Sequence, residues 1–283
     1  MSEPESADDL GELTIESLAA GGDAIARAPD GRVVFVARGA PGDRVRVRVL
    51  EAKKSFYRAE VTEVIAAGPD RVEPRCPLFL AGTCGGCQWQ HVSAPAQAAA
   101  KDALVRASLR HLIEAGLEVA PLARPLPAYE WRRRTRMHWV RPRNAERALV
   151  GFTAPRSQRL VDVEVCVQLE PALGGALAAV RSGLAPRLTG HGDIELLAGH
   201  RGEVQVAVRG PCAPRAAEAL LGQGGIVGVT LGRRVFGADS IELEPGLRGR
   251  ADLFAQASRA GSQLLSQVVD GATRPREGQR ILE

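Results

Sequence analysis

Three cysteines lie close together in the stretch CPLFLAGTCGGCQWQH, and a fourth follows much later in the chain, at Cys166. Cys84 and Cys87 form a Cys-x-x-Cys pair, which brings two thiolates to one centre. The two glycines between them permit positive φ angles and leave room for a bulky inorganic group. Cys76 precedes the pair as a third thiol. The spacing therefore predicts a metal site whose ligands are Cys76, Cys84, Cys87 and Cys166.

Two metal groups are compatible with these ligands. Four thiolates satisfy a tetrahedral zinc ion as well as a [4Fe-4S] cluster. Zinc ribbons usually present two Cys-x-x-Cys pairs, whereas here one pair accompanies two isolated cysteines, which favours the iron–sulfur cluster. The fifth cysteine, Cys212 in RGPCAPRA, has no supporting motif, and we interpret it as inert.

The composition is that of a mildly basic chain. Its 283 residues carry a net charge of +4, with a pI near 9.0. These values suit a nucleic-acid partner without establishing one. The sequence has neither a signal-peptide pattern nor an apolar run of membrane-spanning length, so we expect a cytoplasmic protein with no membrane partner and with thiols instead of disulfides. The acidic residues 1–9 predict a disordered tail.

Alternating β-branched residues predict a small OB-like β-barrel over residues 10–69. Between Arg44 and Val49, arginine and valine alternate strictly, which places the valines inside and the arginines in solvent. A cationic and aromatic strand edge is predicted to bind single-stranded RNA through backbone charge and stacked rings. It comprises Lys53, Lys54, Phe56, Tyr57 and Arg58. A plain solvated strand is the alternative.

Interleaved strand and helix patterns predict an α+β central domain over residues 70–254. Residues 94–117 are expected to form an alanine-rich helix that ends at Gly116. Its inward face is expected to comprise Ala103, Leu104, Ala107, Leu109 and Leu112. The stretch VDVEVCVQL is expected to be a strand that carries Cys166.

The C-terminal part of the sequence predicts a long helix and the start of a strand. The helix is expected over residues 252–272, with Leu264, Leu265 and Val268 facing inward. Residues 279–283, QRILE after Gly278, are expected to begin a buried strand.

A second basic and aromatic stretch lies between Trp131 and Trp139. Four of its residues are arginines within a run of five: Arg132, Arg133, Arg134 and Arg136. Guanidinium groups bind phosphates and stack on bases, so this density favours RNA binding. The alternative is an amphipathic strand with its arginines in water. We interpret His138 as a packed or solvent-facing residue.

Several motifs occur in the order found in a known family. CPLFLAGTCGGCQWQH, EWRRRTR, GFTAPRSQRLVDVEVC and DLFAQASRAGSQLL resemble the RNA uracil-C5 methyltransferases that carry an N-terminal TRAM barrel and a [4Fe-4S] cluster. GGDAIARAPDGRVVFVARGAPGDRVRVRV likewise resembles the TRAM signature. The resemblance implies an enzyme that transfers a methyl group from S-adenosylmethionine to C5 of a uridine in ribosomal RNA. The implied type modifies 23S ribosomal RNA.

The resemblance also implies which site residues are present. The family's F-x-Q-x-N motif is matched at Phe254 and Gln256, whereas Ser258 replaces the asparagine. Only Gln256 is therefore carried over, as a residue at the cofactor and target-base site. The nucleophilic cysteine and the glycine-rich loop for S-adenosylmethionine are expected beyond Glu283, since no G-x-G here follows a strand and opens a helix.

Two functions follow from this sequence. The first is an RNA uracil-C5 methyltransferase that is truncated and inactive alone, in which residues 255–283 only begin a Rossmann-like cofactor domain. An ending inside a buried strand favours this reading, because it leaves an unpaired edge. The alternative is a stand-alone RNA-binding iron–sulfur module without enzymatic activity.

Overall fold

The computed structural model describes residues 10–123, 127–274 and Gly278. These residues form two compact units. Unit 1 comprises residues 10–82 and 87–123, and unit 2 comprises residues 83–86, 127–274 and Gly278. The expected N-terminal tail and the expected strand at residues 279–283 lie outside the described residues. Among the helices that are described, none is long and apolar enough to cross a membrane.

Unit 1 is built on a six-stranded sheet. Its strands are β1 (Glu12–Thr14), β2 (Ser17–Leu18), β3 (Ala24–Arg27), β4 (Val33–Ala37), β5 (Arg44–Ala52) and β6 (Phe56–Ala66). They are ordered β1-β5-β6-β4-β3-β2, and only the pair β4 and β6 is parallel. β1 and β2 lie at opposite edges, yet only residues 15 and 16 separate them, so the sheet curls round and closes. The predicted β-barrel is confirmed.

Strand alternation fills the barrel interior. In β5, Val45 is fully buried, whereas Arg44, Arg46 and Arg48 are exposed, as the period of two predicts. The most deeply buried apolar side chains of the barrel are Ile15, Ala24, Ala26, Val34, Val36, Ala40, Val45 and Ala59. Small and β-branched residues dominate this set because the interior of a small barrel has little room for larger side chains.

A buried carboxylate holds the turn between β4 and β5. Asp43 is fully buried and accepts hydrogen bonds from the backbone N–H of Ala40 at 2.6 Å and of Gly68 at 2.9 Å. The Arg71 guanidinium donates to both oxygens, with its shortest contact, from Nη2, at 2.6 Å. Arg71 also donates to the carbonyl of Arg38 at 2.8 Å. One carboxylate therefore ties the start of β5 to the chain that leaves β6.

The same interaction fixes the ionisation of this group. Burial raises the pKa of Asp43, but hydrogen bonds from Arg71, Gly68 and Ala40 outweigh that effect and bring the pKa below its ordinary value. Gly68 is required beside it, because a Cβ there would lie 2.4 Å from the carbonyl oxygen of Pro41.

The rest of unit 1 packs on the barrel. Its helices are α1 (Pro77–Leu80), α2 (Ala94–Ser108) and α3 (Arg110–Glu114). The indole N–H of Trp89 donates to the carbonyl of Gly22 at 3.0 Å, and Nε2 of His91 lies 2.9 Å from the carbonyl oxygen of Gly39. Residues 70–82 and 87–123 thus belong with the barrel, whereas the sequence placed a domain boundary at residue 70.

The helix expected over residues 94–117 differs from the prediction. It is interrupted at Leu109, and the second segment ends at Gly116, whose φ of +99° matches the predicted stop. No residue of α2 or α3 is buried, and Leu112 is 55% exposed. The predicted inward face is therefore wrong, because the helix contacts the barrel core through Ala96 and Ala100 near its start.

Unit 2 is built on a seven-stranded sheet. Its strands are β7 (Arg134–Val140), β8 (Leu149–Thr153), β9 (Leu160–Asp162), β10 (His191–Ala198), β11 (Val204–Arg209), β12 (Ile226–Leu231) and β13 (Arg234–Gly237). Their order is β13-β12-β11-β10-β7-β8-β9, and only β11 and β12 are parallel. A separate hairpin comprises β14 (Ile241–Glu244) and β15 (Leu247–Gly249).

Helices and the hairpin cover this sheet. The helices are α4 (Pro171–Ala179), α5 (Pro214–Glu218) and α6 (Arg259–Thr273), and α4 continues into a π-helical turn at Val180–Leu184 and a 3₁₀ turn at Ala185–Arg187. α4 contacts β10 and β11, and α5 contacts β12. Leu197 and Ala207 of the sheet pack with Ile241 and Leu243 of the hairpin. This arrangement confirms a mixed α+β fold.

Two local predictions in unit 2 are wrong. Cys166 does not lie in a strand, because β9 ends at Asp162 and the carbonyl of Cys166 accepts the N–H of Leu169 in a turn. The C-terminal helix starts only at Arg259, where the Ser258 hydroxyl caps it by accepting the Gly261 N–H at 3.1 Å.

The expected inward face of that helix is also wrong. Leu265 and Val268 are 49% and 56% exposed, and Leu264 is only half-buried. None of the residues of α6 is buried.

We expect Asp43→Asn to destabilise the barrel by about 3 kcal/mol, because the amide cannot accept from Arg71 and two N–H groups at once. A lowered carboxyl pKa stabilises the fold above the unfolded-state pKa, near 4, and this contribution fades as the pH falls through the folded-state pKa. In urea unfolding, the free energies of unfolding of Asp43→Asn and wild type should therefore differ at neutral pH, and this difference should narrow below about pH 4.

The matched control is Glu63→Gln, which breaks an exposed ion pair with Arg46 and should shift the urea midpoint little. An equal shift in the two variants would contradict the role given to Asp43.

Candidate nucleic-acid interface

Two phenylalanines and one arginine form an aromatic platform on the outside of the barrel. Phe35 and Phe56 have ring centroids 5.6 Å apart in an edge-to-face arrangement. The guanidinium carbon of Arg58 lies 5.5 Å from the centroid of Phe35 and 5.6 Å from that of Phe56. All three side chains are half-buried. The aromatic platform, Phe35, Phe56 and Arg58, thus combines stacking surface with a positive charge.

Strand pairing explains why these residues meet. The parallel pairing of β4 and β6 places Phe35 directly opposite Arg58. Phe56 and Arg58 are two residues apart on one strand and therefore share a face. Arg58 is held by Asp23 at 3.1 Å and by Glu51 at 3.6 Å. The sequence prediction missed Phe35, because only the long-range pairing of the two strands brings it beside Arg58.

Tyr57 does not belong to this surface, which corrects the prediction. It alternates with its neighbours and is only 5% exposed. Its hydroxyl donates to Asp30 at 2.9 Å, and the Arg32 guanidinium lies 3.9 Å from its ring centroid. Tyr57 therefore stabilises the β3–β4 turn and has no ring face available to a base.

The two predicted lysines lie in the β5–β6 turn, and both are exposed. Nζ of Lys53 is 2.8 Å from Glu51. In the part of the chain that the structure describes, Lys54 has no ion pair. Lys54 therefore adds an uncompensated positive charge close in sequence to the aromatic platform.

The arginines of β5 are neutralised by neighbouring carboxylates. Arg46 pairs with Glu63 at 2.7 Å, and the other two arginines form equivalent cross-strand pairs. These are Arg44 with Glu12 and Arg48 with Glu60. This charge ladder offers an RNA backbone little net attraction. Although β5 has the most regular arginine pattern, it is therefore a less favourable RNA-binding surface than the aromatic platform.

Arg133 occupies a structural position, which corrects the second RNA prediction in part. Its side chain is 1% exposed. Nε donates to the carbonyl of Gln256 at 3.2 Å, and Nη1 donates to the carbonyl of Leu243 at 3.4 Å and to Glu244 at 3.3 Å. Its backbone N–H also donates to the carbonyl oxygen of Ala257 at 2.8 Å. A buried guanidinium with these partners is not available to phosphate.

The other three arginines of this stretch remain partly accessible. Arg134 and Arg136 lie on one face of β7 and pair with Glu195 at 2.6 Å and Asp193 at 2.5 Å. The Arg132 guanidinium carbon lies 4.8 Å from the ring of Trp131. His138 shares the face of Arg136, and its Nδ1 is 2.5 Å from Asp193. Burial raises the pKa of Asp193, but the hydrogen bonds from Arg136 and His138 outweigh that effect and lower the pKa below its ordinary value.

Gln256 lies in an extended segment that precedes α6. Its side chain is half-buried, and Arg133 holds its carbonyl oxygen. Two residues earlier, Phe254 is 81% exposed. The segment therefore has a fixed backbone and an exposed ring, although nothing in the described residues marks a cofactor pocket around Gln256.

The predicted metal ligands are divided between the units. Cys76 and Cys87 belong to unit 1, and Cys84 and Cys166 belong to unit 2. None of the five cysteines forms a disulfide. Within the described residues, no group of three or more His, Cys, Asp or Glu side chains is arranged to hold a metal ion. The metal site is therefore not shown by the geometry.

The loop around Cys84 has one feature of a thiolate ligand. Its Sγ accepts the backbone N–H of Gly86 at 3.4 Å, and hydrogen bonds of this kind stabilise cluster thiolates. Gly85 donates its N–H to Thr153 at 2.9 Å, and a Cβ on Gly85 would lie 3.0 Å from that carbonyl oxygen. The donor chemistry at Cys84 is thus compatible with a cluster.

Comparison with known proteins identifies the barrel. Residues 11–62 match the family model of the TRAM domain. Strands β1 to β5 and the first part of β6 lie within this range, so the barrel is a TRAM domain.

Curated relatives share most of the chain. It is 42% identical over 206 residues to the 23S rRNA (uracil(1939)-C(5))-methyltransferase RlmD of Halomonas elongata, covering 70% of this chain and 40% of that protein. It is 33% identical over 278 residues to an uncharacterized RNA methyltransferase of Thermosynechococcus vestitus, covering 90% of this chain and 60% of the relative. RNA uracil-C5 methyltransferases are thus among its homologues, and the chain spans 40% to 60% of the length of these two.

A solved structure with a similar fold is among the matches. It is the tRNA (uracil-54, C5)-methyltransferase of Pyrococcus abyssi in complex with S-adenosyl-L-homocysteine, with a TM-score of 0.61 and 18% identity. The match covers 92% of this chain and 64% of that one.

Proposed function

We propose that this chain is the RNA-binding part of an RNA uracil-C5 methyltransferase, an enzyme that transfers a methyl group from S-adenosylmethionine to C5 of a uridine in 23S ribosomal RNA. One observation carries the proposal. An aromatic platform with its own guanidinium lies on a TRAM domain, in a chain whose homologues include 23S rRNA uracil-C5 methyltransferases. Ribosomal RNA is the proposed partner because the Halomonas relative carries that substrate in its name.

Base stacking is the proposed mode of RNA binding on the barrel. Unpaired bases stack on phenylalanine rings in a sequence-tolerant way, and arginine adds a cation–π contribution. Phe35, Phe56 and Arg58 supply both kinds of surface, and Lys54 supplies charge for the backbone. This chemistry suits a single-stranded loop better than a duplex, whose bases are already stacked.

Methyl transfer requires a nucleophile that these residues do not provide. The reaction needs a thiolate to attack C6 of uracil and a base to remove the C5 proton. Burial raises the pKa of Cys212, which keeps its thiol protonated at neutral pH. The other four cysteines are the proposed metal ligands. Bound S-adenosylmethionine would supply the methyl group, and Gln256 is the residue we place beside the cofactor and the target base.

A [4Fe-4S] cluster on Cys76, Cys84, Cys87 and Cys166 remains part of the proposal, with zinc as the alternative. The support is the donor set itself and the N–H group that Gly86 directs at Cys84. We assign the cluster a structural role. It would hold the cysteine loop in place without taking part in the reaction.

A stand-alone RNA-binding iron–sulfur module is the second candidate. It is favoured by one observation: the aromatic platform is complete within this chain. The two candidates predict the same RNA binding and differ in methyl transfer.

Phe35→Ala and Phe56→Ala should each weaken binding of a single-stranded RNA of about twelve nucleotides, because each variant removes a stacking surface worth about 1–3 kcal/mol per base. The loss corresponds to roughly 5- to 150-fold in affinity. Fluorescence anisotropy with labelled RNA measures it.

Leu50→Ala is the matched control, since Leu50 is an exposed apolar residue of the same barrel outside the platform. RNA affinity that is unchanged in both phenylalanine variants would remove the platform from the interface.

Anaerobically purified protein should contain iron and acid-labile sulfide, with broad visible absorbance that Cys87→Ser abolishes. Cys212→Ser is the control and should leave both the metal content and the absorbance unchanged. Stoichiometric zinc without iron or sulfide would contradict the cluster assignment and would support a zinc ion on the same four thiolates.

The 283 residues alone should bind ribosomal RNA fragments without transferring a methyl group from labelled S-adenosylmethionine, because the available cysteines are ligands or a protonated thiol. In a longer chain that does methylate, Gln256→Ala should lower turnover more than RNA affinity. Incorporation of label by residues 1–283 would place the nucleophile within this chain, contrary to the proposal.

A further inference from the structure

We infer that unit 2 carries a phosphate-binding subsite formed by Arg134, Arg136 and Arg209 and organised by the buried carboxylate of Glu195. The inference rests on the proposed function, since the phosphate is taken to be that of a bound RNA strand. It extends the binding surface beyond the barrel and assigns roles to Arg209 and Glu195, which the sequence did not single out.

A surface cavity of about 390 Å³ marks the place. Strand register brings its residues to one face of the sheet. Arg136 lies opposite Glu195 in the pairing of β7 with β10, and Arg209 lies opposite Asp193 in the pairing of β10 with β11. Because Arg134, Arg136, Glu195 and Arg209 alternate with core residues, their side chains all point to the face that bears the cavity.

Glu195 fixes two of the three guanidinium groups. It is 3% exposed, and its two carboxylate oxygens accept separately, from Nη2 of Arg134 at 2.6 Å and from Nε of Arg209 at 2.9 Å. Arg209 is held a second time, by the carbonyl of Asp252 at 2.8 Å. Side chains that are already immobile lose little entropy when a ligand binds, and a guanidinium fork matches phosphate geometry.

Unused donors remain at this cavity. Nε of Arg134 is buried and, in the described part of the chain, has no hydrogen-bond partner. A buried N–H without an acceptor costs free energy that an anionic oxygen would recover. Arg136 uses Nη2 for Asp193, and its side chain is 55% exposed, so its guanidinium has further N–H donors to offer a ligand.

The local charge is compatible with an anion. The three lining arginines and Arg250 face three carboxylates, those of Asp193, Glu195 and Asp252. One positive charge remains after these pairs are counted. Phe254, 81% exposed, forms part of the cavity wall, so a phosphate here would have an apolar ring beside it. A phosphate next to an aromatic surface is the chemistry of a nucleotide.

Arg209→Ala and Arg136→Ala test the subsite directly. Each should lower the affinity of labelled single-stranded RNA about 5- to 10-fold and reduce the salt slope by about 0.7, the value for one lost phosphate contact. The matched control is Arg234→Ala. Register places Arg234 opposite Leu231 and thus on the other face of the same sheet, and its removal should change neither quantity appreciably.

Glu195→Gln separates a positioning role from simple electrostatics. The substitution makes the protein more positive, so nonspecific attraction alone would tighten RNA binding. If Glu195 orients the arginines, RNA affinity should fall about 3- to 10-fold despite the added charge, and Glu195→Asp should recover part of it. Tighter or unchanged binding in a folded Glu195→Gln protein would overturn the positioning role.

Inorganic pyrophosphate distinguishes failure of the subsite from failure of the proposed function. It should raise the melting temperature of the wild type but not that of Arg209→Ala. RNA binding that depends on Phe35 and Phe56 but not on Arg136 or Arg209, with no pyrophosphate effect, would overturn the subsite and leave the proposed function standing. Stabilisation by pyrophosphate without any RNA binding would retain the anion site and contradict the RNA function.

Discussion

The buried carboxylate of Asp43 makes the interaction on which the aromatic platform of the barrel depends. It joins the turn before β5 to Arg71, in the chain that follows β6, and so fixes both ends of the longest hairpin of the barrel. Because β6 carries Phe56 and Arg58 and pairs with the strand of Phe35, the aromatic platform depends on the position of that hairpin. A charge inside a small barrel is tolerated only because every carboxylate oxygen is hydrogen-bonded.

Carboxylates determine how available several of the arginines are in both units. On β5 they neutralise an exposed row of guanidinium groups, and on β10 the buried Glu195 immobilises two of them beside a cavity. Arg133 is buried among carbonyl oxygens and one carboxylate and serves the fold alone. Arginine density therefore indicates where RNA could bind, while burial and pairing determine which guanidinium groups are available.

The local features of the fold were predictable from the sequence, and the long-range ones were not. The alternation in β5 and the stop at Gly116 follow from strand periodicity and from the backbone freedom of glycine. Phe35 joins the platform only through parallel pairing with β6, and Tyr57 turns inward to meet Asp30. The pairing of Phe35 with β6 is not encoded in neighbouring residues, whereas strand alternation already places Tyr57 on the opposite face from Phe56 and Arg58.

The same limit explains the errors at Arg133 and in α6. An arginine run has the same pattern whether its side chains face water or a ring of carbonyl groups, and Arg133 is buried because residues 243 and 256 reach it from far along the chain. The apolar stripe that includes Leu265 and Val268 indicates an amphipathic helix, yet periodicity cannot state whether a partner covers it. Ser258 sets the start of that helix by capping it.

The central claim is that the TRAM barrel meets RNA through the aromatic platform and not through the charge ladder of β5. Ultraviolet crosslinking of the 283-residue chain to single-stranded ribosomal RNA, followed by mass spectrometry of the crosslinked peptides, tests it most directly. The account predicts crosslinks at Phe35 and Phe56, and none at the β5 arginines Arg46 and Arg48. Crosslinks confined to the β5 strand, with both phenylalanines unmodified, would contradict it.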